Sequence, residues 1–91
     1  MALNTLHIGS PKLVTASGNV KASSGAVLGI FVSSHTTGSI TLYDDAAAGT
    51  TNKILDTFLF PGVGWYPMNM AFVNGLNIVV GGTLSATVVL A

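Results

Sequence analysis

Cysteine, arginine and glutamate are all missing from this 91-residue sequence, and its charge amounts to three lysines and three aspartates. Without cysteine there is no disulfide framework, thiolate nucleophile or zinc-thiolate cluster. Charged residues make up only 7% of the chain, against roughly 25% in ordinary soluble domains. A net charge of zero argues against nucleic acid as a partner, because phosphate neutralisation needs clustered cations. The same shortage removes the electrostatic route to anionic membranes. No apolar run approaches the roughly 18 residues of a spanning helix; the best stretch, 70–80, is broken by Asn74, Gly75 and Asn77. The start, Met1-Ala2-Leu3-Asn4-Thr5-Leu6-His7, lacks a basic segment before an apolar one and does not read as a signal peptide. Lack of cysteine is compatible with synthesis in a reducing cytoplasm.

What is there is apolar and small. Hydrophobic residues are 49% of the sequence and the mean hydropathy is +0.68. A single domain of this length, 1–91, buries only about 60–65% of its unfolded surface. Such domains are usually supported by disulfides, a metal or partner subunits. The first is excluded, and two histidines with three aspartates make the second a poor prospect. Partner subunits remain.

Strand signals dominate. β-Branched and aromatic runs near 4–8, 12–16, 19–23, 26–34, 38–44, 53–60, 64–72, 75–80 and 83–90 are punctuated by Gly, Asn, Ser and Pro. Helical periodicity is almost absent; Ala46-Ala47-Ala48 suits a loop or single turn. The expected fold is all-β: an antiparallel β-sandwich of about eight short strands, with a jelly roll as one arrangement. Ser17-Gly18-Asn19, Thr36-Thr37-Gly38 and Asn74-Gly75 are read as turns.

Alternation assigns faces. Ile30 and Val32 share one with Leu28, and Phe31 shares the other with Val27. Between 54 and 60, Ile54, Asp56, Phe58 and Phe60 oppose Leu55, Thr57 and Leu59. In the last strand Leu84, Ala86, Val88 and Leu90 oppose Val89. Two central strands are thus apolar on both sides, and one side is expected to pack against another molecule. Phe31, Leu55, Leu59 and Val89, with Trp65 and Tyr66, are the candidate contacts. Phe58, Phe60 and Phe72 are expected in the core.

Catalytic signatures are missing: no Gly-x-Ser-x-Gly elbow, Walker loop, HExxH or EF-hand loop occurs. Gly62-Val63-Gly64 lacks the third glycine and following helix of a phosphate cradle and reads as a strand-to-strand bend. Asp44-Asp45 could offer oxygens to a hard cation, but calcium takes six to eight, and a self-capping turn is the simpler reading. His7 and His35 have no evident nucleophile or third ligand beside them. No enzyme activity, cofactor or metal is expected.

The run from Leu28-Gly29-Ile30-Phe31-Val32 through Ser39-Ile40-Thr41-Leu42-Tyr43-Asp44, with Gly64-Trp65-Tyr66-Pro67, Phe72, Asn74-Gly75-Leu76 and Val80-Gly81-Gly82-Thr83, resembles small virion structural proteins of tailed bacteriophages. The resemblance covers 25–90 and rests on turn and core positions. It implies a capsid cement (decoration) protein, made in the host cytoplasm and carried on the outer surface of the head. Its partners would be itself, as a homo-oligomer with a trimer favoured, and the major capsid protein or another virion protein. Residues 1–12 would then form an extended docking arm. The alternative is a receptor- or glycan-binding knob of a head or tail fibre, using Trp65 and Tyr66. A membrane-active β oligomer is disfavoured, because few runs show the 9–11-residue alternation that bilayer-spanning strands need.

Overall fold

The structure, a computed structural model, describes residues 9–91. It is an antiparallel sheet of six strands, with no helix among the described residues. The strands are β1 (Ser10–Val14), β2 (Gly18–Lys21), β3 (Gly25–Tyr43), β4 (Lys53–Leu59), β5 (Gly64–Phe72) and β6 (Leu76–Leu90). The expected run at 4–8 lies outside the described residues. The expected docking arm lies outside them up to Ile8, while residues 10–12 belong to β1 and pair with β6.

Six strands replace the expected eight because two turn signals do not end a strand. Thr36-Thr37-Gly38 falls inside β3, and Gly81-Gly82 falls inside β6. At both places the ladder between β3 and β6 continues across a register shift. Thr37 and Gly82 take left-handed φ values of 48° and 67°, and a Cβ on Gly82 would run into the Thr37 carbonyl. A bulge supplies the bend that a turn was expected to make.

The bend is large. Nineteen residues of straight strand would span about 60 Å, whereas the longest dimension of the molecule is 45 Å. Phe72 pairs with Gly25 at the start of β3, and three residues later Gly75 donates its N–H to Asp44, just past the end of β3. The two ends of the longest strand are therefore neighbours. The shorter strands are cut at this crease. β1 and β2 follow one another along β6, and β5 and β4 along β3, so each central strand has a different outer neighbour on each side of the bend.

The crease divides the sheet into two halves of four strands each. The first half runs β1, the C-terminal part of β6, the N-terminal part of β3, and β5. The second runs β2, the N-terminal part of β6, the C-terminal part of β3, and β4. Val27, Ile30, Val32, Ala86, Val88 and Leu90 from the first half, and Ile40, Leu42, Leu76 and Ile78 from the second, belong to one buried core. A single flat sheet would leave both faces wet, so burial of this set requires the inner faces to cover each other.

Two bulges change the expected faces. At 27–29 the register slips against both neighbours, which returns Val27 to the buried side with Ile30 and Val32 and leaves Phe31 outside. Between Leu55 and Phe58, β4 carries one residue more than β3 does between Ile40 and Leu42. Leu55 therefore joins Phe58 on the inner side. Strict alternation misses both, because an inserted residue inverts the parity of everything beyond it. The expected face of the last strand is observed: Leu84, Ala86, Val88 and Leu90 are buried.

Candidate functional site: an uncovered apolar sheet face

In antiparallel pairs, residues directly opposite one another point to the same side. The register of the first half therefore builds its outer face row by row. One row is Leu13, Thr87, Phe31 and Trp65, crossing all four strands; the next is Pro11, Val89, Gly29 and Pro67. Leu13 is 66% exposed, Phe31 47% and Trp65 48%. No charged residue occurs in either row.

The indole of Trp65 is seated rather than free. A Cβ on Gly29 would stand 2.5 Å from its Cζ2 atom, so the ring lies over the bare backbone of β3. Glycine at 29 is the condition for that approach. Beside the ring is a hollow of about 440 Å³ lined by Leu28, Trp65, Pro67 and Asn69. Phe31, one row away, projects as a knob.

Trp65 and Tyr66 do not act together. As neighbours on one strand they point to opposite sides, and the Tyr66 ring packs against Phe58 and Phe60 on the inner side. Its hydroxyl donates to the Gly62 carbonyl at 2.6 Å and accepts from the Gly62 N–H at 3.3 Å. This clamp fixes the bend between β4 and β5, in agreement with reading Gly62-Val63-Gly64 as a turn. Tyr66, Leu55, Phe58, Met68 and Met70 line an open apolar slot of about 360 Å³ at the edge where β4 and β5 converge. Leu59 lies opposite Ser39 and is exposed on the outer side of the second half. Of the six expected contact residues, Phe31, Trp65 and Val89 come together on one face; Tyr66 and Leu55 share the inner slot, and Leu59 stands apart. Phe60 and Phe72 are core residues as expected, while Phe58 sits at the rim.

The polar groups are occupied by the chain itself. The Asp44 carboxylate accepts from Val73 (2.9 Å), Asn74 (2.7 Å) and Gly75 (3.2 Å). These N–H groups, Val73 and Asn74 foremost, hold its pKa below the ordinary carboxylate value. Three donors aimed at the carboxylate also present positive dipole ends where a cation would have to approach. Asp45 Oδ1 accepts from Ala47 and Gly49, closing the self-capped turn read from the sequence. Lys53 and Asp56 pair at 3.0 Å on the surface, which pulls the Asp56 pKa down and the Lys53 pKa up. His35 accepts from the Gly38 N–H through Nδ1 and meets the edge of Phe60 at the crease. His7 lies outside the described residues. Among the described residues, no three His, Asp, Glu or Cys side chains are grouped to hold a metal.

Composition and alternation gave Phe31 and Trp65 but missed Leu13, Gly29 and the hollow. Leu13 sits in a short run without strong alternation, and the value of Gly29 depends on a ring that belongs to another strand. The outer face was found by register, not by motif. No family model, curated protein or solved structure matches this chain.

Proposed function

We propose that this chain is a non-enzymatic structural protein of a tailed-phage virion: a cement (decoration) protein that binds the outside of the head as a homo-oligomer. Its two half-sheets would be the layers of a β-sandwich. The observation that carries this reading is the uncharged outer row Leu13–Thr87–Phe31–Trp65, exposed on a domain with almost no charge elsewhere. Contiguous apolar surface of this kind marks an interaction site. The resemblance over 25–90 supplies the virion context.

The mechanism is mechanical. Apolar area removed from water contributes about 25 cal/mol per Å². Each contact is modest, but a shell repeats it at every symmetry-related position, and the sum resists the pressure of the packaged genome. The side chains capable of chemistry serve the fold instead: Tyr66, Asp44, Asp45 and His35 are each engaged with backbone groups.

The test is to add the purified chain to heads assembled without it and to measure the temperature at which they release DNA. A raised release temperature is expected. Heads that take up none of the chain, or release DNA at an unchanged temperature, would sink the reading.

A further inference from the structure

The two outer faces differ in what lies on them. On the second half, the Asn19 amide donates to the carbonyls of Asp45 (3.1 Å) and Ala47 (2.7 Å), and the Asn77 amide donates to that of Gly49 (2.9 Å). Loop 44–52 is thereby tied across that face, and Asn77 is only 2% exposed. Among the described residues nothing is tied across the outer face of the first half in this way, although it is the more apolar of the two.

We propose that this face is a self-association surface, on which two copies stack face to face about a two-fold axis. The inference rests on reading the chain as an assembly unit and is independent of the virion assignment. Its occupant follows from the character of the face. With no charge in its rows it offers no pattern to select a partner of opposite sign, and it meets its own copy without repulsion. It also carries both complementary parts, the Phe31 knob and the hollow between Leu28, Trp65, Pro67 and Asn69. A two-fold axis places each copy's knob in the other's hollow, the self-complementary arrangement of an isologous contact. The Trp65 ring, already seated over Gly29, needs little further ordering.

The size sets the strength. Four strands at about 4.8 Å spacing and five or six residues at about 3.3 Å give a face of roughly 350 Å² in projection. Two such faces, with the relief of their side chains, fall toward the low end of specific interfaces, below the roughly 1,600 Å² standard. The pairing is therefore reversible with concentration. It also departs from the three-fold arrangement expected from the resemblance. A closed ring of three uses two different patches on each copy, whereas knob and hollow here share one face.

The test is the mass of the full chain by light scattering and sedimentation over a dilution series, with Leu13→Lys and Phe31→Lys beside the wild type. The wild type should move between one and two chain masses, with Trp65 emission shifting to the red on dissociation. Both variants should stay at one chain mass with unchanged far-UV circular dichroism. If Phe31→Lys fails to fold, Leu13→Lys decides alone, since its side chain is two-thirds exposed. A wild type of one chain mass throughout, a stable three-chain mass, or a dimer untouched by the substitutions would overturn the proposal. A dimer that responds as expected but leaves heads unaffected would uphold it and overturn the virion reading instead.

Discussion

The outer row of the first half reads Leu13, Thr87, Phe31, Trp65; the corresponding row of the second reads Asn19, Asn77, Tyr43, Lys53. Both cross four strands of one sheet, and both halves give their inner faces to one core. Five of the six charged residues, Lys21, Asp44, Asp45, Lys53 and Asp56, lie in the second half or its loop. Lys12 alone belongs to the first half, at an edge and on the opposite side from Leu13. Two surfaces with the same backbone have therefore been given different tasks. One is closed by a loop of its own chain, held by side-chain amides. The other is left uncharged and uncovered. Folding is shared between the halves, while contact with other molecules is concentrated in one.

That comparison breaks first if the core is not shared. Ile30→Ala in the first half and Ile40→Ala in the second should each cost about 2–5 kcal/mol, with both halves unfolding in one transition. Two separate transitions in urea or heat would mean that the halves are independent. The loop cover comes next. Asn77→Ala leaves the Gly49 carbonyl without its donor and should cost about 1–3 kcal/mol in urea titration. Asn19→Ala, at an exposed position, should cost less.

Acid should act on the second half through Asp44. Its folded pKa lies below its unfolded value, so its stabilisation is fully present above the ordinary carboxylate pKa of about 3.9 and is lost as pH falls through the lowered folded value. Asp56 has the same sign, through Lys53 and the Thr57 N–H. Asp44→Asn should therefore be less stable than the wild type at neutral pH, and the difference should shrink toward strong acid. An Asp44→Asn stability curve parallel to that of the wild type from pH 7 to strong acid would exclude this role. The smallest effect on stability belongs to the outer face of the first half. Leu13→Lys should change monomer stability by no more than about 0.5 kcal/mol. Gly29→Ala should lift the indole and shift the emission of the single tryptophan to the red. An unmoved spectrum would mean that the ring does not depend on the bare backbone beneath it.

The sequence alone determined that the chain is all-β, that helices and disulfides play no part, and that Leu84, Ala86, Val88 and Leu90 form one buried face. These follow from composition and from alternation within a single unbroken strand, which are local properties. It also marked Asp45 as a self-capping residue, because an Asx turn closes within a few residues. The tertiary structure decided the rest. Thr36-Thr37-Gly38 looks like a turn, yet it is a crease in a continuous strand, because the opposing Gly81-Gly82 bends with it. Leu55 and Val27 changed sides because bulges insert one residue into a period of two. Leu13, Phe31 and Trp65 became a single surface only through pairing between residues far apart in the chain. Alternation fixes which side a residue takes relative to its neighbours, but register is a relation between strands and was settled only when they paired.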